Sequence, residues 1–160
     1  MNVQTSFATP QPWPRERLVG LAGHEVLSMM LAGELPIPPF SPTTKIVLAE
    51  VAPGRIIFTG TPDGAFLNPM GMVHGGWIAT ILDSAMGCAV HSSLKPGQLY
   101  TTTSMNVNYV RPLTADSGEV RCEAVTTHQG SRLATSEGKL FDIKGRLIAH
   151  ASETCMILDL

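Results

Sequence analysis

The sequence predicts an α+β fold, one long helix packed against a curled antiparallel sheet. Two observations predict it. The stretch from about His74 to Ser92 carries apolar residues on one wide helical face. Six strand-like runs with tight turns flank that stretch, two before it and four after it. A helix so apolar must be covered by the sheet, which gives a two-layer arrangement.

The elements follow in order. Residues 1–15, rich in Pro, Gln and Thr, form an expected flexible arm, and residues 16–160 form one domain. From Glu16 to Leu31, Leu18, Leu21, Ala22, Val26, Met29 and Met30 recur near helical spacing and predict one N-terminal helix. The Pro-rich connector "GELPIPPFSP" is expected to run extended, because each proline biases its predecessor out of the helical region. "TKIVLAEV" and "RIIFTGT" predict two strands turning at Pro53-Gly54. In the long helix, Ile78, Ile81, Leu82, Ala85, Met86 and Ala89 follow the series of one buried face. The helix stops before Pro96-Gly97. In "TTTSMNVNYV", Met105, Val107 and Tyr109 alternate with Ser104, Asn106 and Asn108. "GEVRCEAVTTH" sets Val120, Cys122 and Ala124 on one face. "SRLATSEGKLFDI" and "RLIAHASETCMIL" form a hairpin at Lys144-Gly145, and further turns fall at Ser117-Gly118 and Gln129-Gly130.

Composition narrows the function classes. The 160 residues are 44% hydrophobic and 15% charged, with a formal net charge of −2, so no polyanion footprint exists and nucleic acid is not an expected partner. No uncharged run reaches the length of a membrane span, and the first residues lack a secretory layout. Cys88, Cys122 and Cys155 are widely separated and read as buried small hydrophobes in a reducing compartment. The cytoplasm is therefore the expected location. No phosphate loop, nucleophile elbow, dinucleotide fingerprint or metal spacing is present, and no metal or cofactor is expected.

Chemistry concentrates around the long helix. His74-Gly75-Gly76 sits where the loop enters it, and the first N–H groups of a helix have no internal partner. Two glycines let a ligand approach that backbone, which suits a carbonyl oxygen that turns negative in acyl transfer. They also suit plain helix-to-sheet packing. Asp83 is the sole acidic residue between Asp63 and Asp116, with no Lys or Arg within a turn. It reads either as a general base or nucleophile, or as a solvated residue on an exposed strip. His74 reads as a structural residue that orients the loop. Asn68, before Pro69, suits a turn or an amide N–H aimed at a substrate oxygen. His24, His91, His128 and His150 share no spacing and are not expected to be catalytic; His91 is set apart because it lies on the helix.

"NPMGMVHGGWIATILDSAMG" resembles the signature of hotdog-fold acyl-CoA thioesterases of the phenylacetic-acid-degradation type, with His-Gly-Gly followed by an acid nine residues after the His. "TTTSMNVNYVRP" and "GSRLATSEGKLFDIKGRLIAHASETCMI" extend the resemblance over about residues 40–157. It implies the hotdog fold, with five to six strands wrapped around the central helix. It implies hydrolysis of acyl-CoA to free acid and coenzyme A, with Asp83 as base or nucleophile and the Gly75 N–H polarising the carbonyl. Asn68 would place water or the acyl group, and His74 would support the loop. Thr102, or Thr101, would hold the attacking water. Gly76 would help bind substrate, and Arg111 and Arg132 would contact coenzyme A phosphates. The resemblance also implies a homodimer as the active unit, usually doubled to a homotetramer. The chain departs from it twice: Gly87 stands where several relatives carry Ser or Thr, and Ser131-Arg132 replaces a Gly-Arg pair. The His–Glu pairing of the dehydratase branch finds no match. The alternatives are a non-catalytic acyl-CoA binder, or a thioesterase acting on acyl-carrier protein.

Overall fold

The computed structural model describes residue 13 and residues 15–159. The expected arm thus lies outside the described residues, apart from Trp13, whose indole N–H donates to the Pro36 carbonyl, and Arg15, which opens the first helix.

Two short helices, α1 (Arg15–Leu18) and α2 (Gly23–Leu31), replace the single predicted one. The break has a tertiary cause. The Gly23 N–H donates to the Leu94 carbonyl at 3.1 Å, and a Cβ on Gly23 would lie 1.7 Å from the His91 carbonyl oxygen. That close approach fixes where α2 begins, and Glu25 reaches back to cap it at the Ala22 N–H. The Pro-rich connector is also corrected. Its end coils into α3 (Phe40–Thr44), preceded by Pro39 and closed by Lys45 in the left-handed region. Pro42 falls in the first turn, where a backbone N–H needs no partner.

The sheet has six antiparallel strands: β1 (Ile46–Ala52), β2 (Arg55–Gly60), β3 (Gln98–Tyr109), β4 (Val120–Gln129), β5 (Leu133–Phe141) and β6 (Leu147–Asp159). Their order is β1-β2-β4-β5-β6-β3, so β1 and β3 are the edges. The β1–β2 turn uses Gly54 at φ 72°, and the β5–β6 turn uses Gly145 at φ 72°. The long helix α4 (Gly75–Ser92) lies across the sheet and packs on every strand. Its predicted face is buried throughout, from Ile78 through Ile81, Leu82, Ala85 and Met86 to Ala89. Val120, Cys122 and Ala124 of β4 meet it from the sheet. The three cysteines are free, and Cys122 and Cys155 are buried.

One irregularity sets the geometry of the site. The β3–β6 register slips between Thr102 and Ser104, with Thr102 opposite Cys155 and Met105 opposite Glu153. The bulge at Thr103 puts Thr102 and Met105, three residues apart, on the same face toward α4. No helix among the described residues is long and apolar enough to cross a membrane.

Candidate active site

Helix α4 carries two polar clusters. The first forms at its start. His74 is the N-cap, and its Nδ1 accepts from the Gly76 N–H at 2.9 Å. Gly76 is thereby used by its own loop. Among the described residues no acceptor takes the Gly75 N–H, so of the two glycines Gly75 is the one whose donor can reach a ligand. Tyr109 closes on the same turn, with its hydroxyl donating to the Gly75 carbonyl at 3.1 Å.

Asn68 shapes the preceding loop. Its Oδ1 accepts from Met70 N–H at 2.9 Å and Met72 N–H at 3.2 Å, and its backbone pairs with Met72 and Gly71. With the carbonyl end held by the loop, the amide N–H₂ is the end that can serve a ligand. A shallow pocket lined by Asn68, Gly75, Tyr109 and Arg111 lies here. Donors of this kind at a helix start suit a developing oxyanion.

The second cluster surrounds Asp83, eight residues beyond Gly75 and so about 12 Å along the axis. Asp83 is half-buried, and burial raises its carboxyl above the usual value, opposed by the Thr102 hydroxyl at 3.4 Å. No Lys or Arg among the described residues forms an ion pair with it. Thr102 Oγ1 lies closer to a second carboxyl, Glu153 Oε1, at 2.8 Å. The Cys155 thiol also donates to that oxygen, at 3.0 Å. Glu153 is 2% exposed, and burial first, then the Asp83 charge, push its carboxyl up against these two donors. The Cys155 thiol is itself pushed up to about 12, first by burial.

The remaining predicted residues are dispersed. Thr101 pairs with the exposed Met156 and faces away from α4, so Thr102 is the threonine that meets Asp83. Arg111 donates to the Leu147 carbonyl, near the start of β6. Arg132 accepts at its backbone from Ile157, near the end of β6. Nine residues of strand, roughly 30 Å, separate Ile148 beside Arg111 from Ile157 beside Arg132. One chain does not bring the two arginines together. His91 packs its ring 5.8 Å from Tyr100, and burial lowers its pKa.

Sequence reasoning missed Glu153 and Tyr109. A signal for Glu153 exists. In "AHASETCMI" the inward positions are Ala149, Ala151, Glu153, Cys155 and Ile157, so the period of two places a carboxyl on the apolar face.

A family model described as the Thioesterase superfamily matches residues 70–149. Human acyl-coenzyme A thioesterase 13 is 33% identical over 114 residues, 69% of this chain and 78% of that protein. The 1,4-dihydroxy-2-naphthoyl-CoA hydrolase of Escherichia coli K12 is 31% identical over 60% of this chain and 69% of its own length. Among solved structures, a putative thioesterase related to phenylacetic acid degradation, from Ralstonia eutropha, superposes with TM-score 0.74 at 33% identity. It covers 81% of this chain and 97% of its own. The E. coli PaaI protein, from the phenylacetic acid degradation operon, matches in fold at TM-score 0.74 and 18% identity, covering 86% and 96%. The order of strands around α4 is thus the hotdog arrangement. With that family model spanning half of the sequence and a thioesterase 33% identical over 78% of its own length, this chain belongs to the thioesterase superfamily and is a thioester hydrolase.

Proposed function

We propose that the chain hydrolyses acyl-CoA thioesters, with Asp83 as the base or the nucleophile. The observation that carries this reading is a half-buried carboxylate with no cation beside it among the described residues, on the same helix as a Gly75 N–H that has no partner among them. In the base route, a water oxygen bonds to the thioester carbon as Asp83 takes its proton. The C–S bond then breaks, and the thiolate leaves and is protonated. In the nucleophile route, a carboxylate oxygen attacks first and the C–S bond breaks to release the thiolate, which is protonated. Water then hydrolyses the resulting anhydride to the acid and free Asp83. Thiolate is a good leaving group, which is consistent with no strong acid beside the helix start. The Gly75 N–H and the Asn68 amide stabilise the oxyanion, and one such donor lowers the barrier by roughly 3 kcal/mol.

The active unit is a dimer in this reading. Gly75 and Asp83 lie about 12 Å apart on one rigid helix, while reacting groups must converge to near 3 Å. A two-fold partner supplies the missing half, because each helix start then meets the other chain's Asp83. The free edge of β3, twelve residues long and carrying Thr102, is the natural seam. Across that seam Arg111 and Arg132 can come from different chains toward one coenzyme A.

Asp83→Asn should abolish thiol release across a panel of acyl-CoAs without lowering Tm. Because burial raises the Asp83 pKa, wild-type kcat/KM should fall on the acid side at a pH above the ordinary aspartate range. More than a tenth of wild-type kcat in Asp83→Asn, or the same acid limb surviving in it, would overturn the assignment. A pure acyl-CoA binder would show saturable binding and no thiol release in the wild type.

A further inference from the structure

The Glu153 carboxyl has no role in the reading above, yet it is among the most buried polar groups and touches the site. Its Oε1 receives both the Thr102 hydroxyl and the Cys155 thiol. Its Oε2 is buried without a partner among the described residues. Ser136 stands opposite Glu153 in the β5–β6 register, and its Oγ is also buried and unpartnered. The groups packed around this carboxyl are Asp83 and Cys88 on α4, Tyr100 and Thr102 on β3, Ser136 on β5 and Cys155 on its own strand. His91 lies beyond Tyr100, and burial lowers its pKa. Among the described residues, the surroundings hold a second carboxylate and neutral acids but no Lys or Arg. A charge on Glu153 would be uncompensated, and the neutral acid is the form such surroundings favour. Its proton belongs on Oε2, because Oε1 is already accepting.

This has a consequence for Thr102, whose hydroxyl has one proton and two carboxyls within reach. An attacking water must place one hydrogen on Asp83, the other on an acceptor, and a lone pair on the carbonyl carbon. Thr102 can be that acceptor when its own proton is committed elsewhere. The 2.8 Å contact to Glu153, against 3.4 Å to Asp83, commits it.

We propose that Glu153 is a positioning residue that, as a buried neutral acid, holds the Thr102 hydroxyl proton, so that Thr102 accepts from the attacking water and Asp83 keeps its lone pairs for the water proton. The Glu153 proton stays in place throughout, and no bond to Glu153 forms or breaks during turnover. The inference rests on Asp83 activating water.

The test measures kcat, the pH profile of kcat/KM and Tm for wild type, Glu153→Gln, Glu153→Leu, Thr102→Val and the Glu153→Leu/Thr102→Val double variant, with Asp83→Asn as reference. Gln copies the neutral acid, keeping an acceptor for Thr102 and a donor in place of the acid proton. It should keep kcat within about threefold of wild type and the same acid limb. Leu frees the Thr102 hydroxyl to turn onto Asp83. It should lower kcat about tenfold or more, and move the acid limb to lower pH, because a hydrogen bond to the charged carboxylate favours it. In the Thr102→Val background the Leu change should add nothing further. If Leu does not fold, Glu153→Met carries the same expectation. Gln as impaired as Leu would mean that the charge is what matters, and would overturn the proposal. An unchanged kcat and acid limb in Leu or Met would overturn it equally. Failure of the underlying reading shows separately, as activity in Asp83→Asn.

Discussion

Gly87 lies four residues after Asp83, and Tyr100 fills the space a side chain would take there. A Cβ at Gly87 would lie 2.6 Å from the Tyr100 hydroxyl and 2.8 Å from its ring. The position is therefore closed to a side-chain hydroxyl, and the hydroxyl beside Asp83 comes from Thr102 on β3. Gly87→Ser should add no activity and should cost about 1–3 kcal/mol through overpacking, read as a lower Tm. Tyr100→Ala alone leaves a cavity, but in that background the Gly87→Ser penalty should shrink, so a double-mutant cycle should show coupling. Equal penalties in both backgrounds would mean that Tyr100 does not hold that space. At this scale the site was half legible. Asp83, Gly75 and Asn68 stood out because each breaks a local pattern: a lone acid, a helix-start glycine, an amide before proline. Glu153 did not stand out. Its strand is read as apolar alternation, and only the contact with Thr102, fifty-one residues away in sequence, gives the carboxyl a meaning.

Docking of α2 on α4 depends on backbone contact. Gly23 approaches the His91 carbonyl so closely that no side chain fits, and Ser92 ties the same end of α4 to the β1–β2 turn by accepting from the Gly54 N–H at 2.8 Å. Gly23→Ala meets backbone, which cannot swing aside as a side-chain tip can. It should cost on the order of 3 kcal/mol, a fall in Tm of roughly 6–12 °C, while kcat of the folded protein holds, since α2 is remote from Asp83. An unchanged Tm would show that α2 does not dock in this way. The long helix and six strands were legible as elements because their periods are clean: the α4 face follows 3.6, and Val120, Cys122 and Ala124 follow 2. The N-terminal break and α3 were not. The first is imposed by the Gly23 contact, a tertiary event that period counting cannot see. The second is a short turn that prolines at its start permit, although prolines read in isolation argue for extended chain. The bulge at Thr103 was equally hidden, since nothing in "TTTS" says which threonine turns inward.

At the scale of the whole molecule, the proposed reading divides the catalytic groups of one chain into two half-sites. The start of α4 carries backbone and amide N–H donors, and beside its middle lie a carboxyl and the Thr102 hydroxyl. A straight helix cannot bend the two together. The outer face of the β3 edge adds a reason to associate. Leu99 opposite Leu158, and Met156 between Thr101 and Leu133, leave exposed apolar side chains in adjacent rows. Pairing two β3 edges would double this patch on one side of a continuous sheet, the kind of surface on which two dimers could meet as a tetramer. The two-chain site makes a prediction that a one-chain site cannot. Asp83→Asn destroys one half, and Asn68→Ala with His74→Ala damages the other, so each variant alone should be inactive. In a hybrid dimer one site collects every defect and the other collects none. After subunit exchange at equal concentrations half the dimers are hybrid, and each has one intact site, so thiol release should recover toward about a quarter of wild type. Each variant must first melt as a folded protein, and differently tagged chains must exchange as judged by mass spectrometry. Confirmed exchange with no recovered activity would place the entire site within one chain, and the 12 Å between Gly75 and Asp83 would then have to be spanned by the substrate.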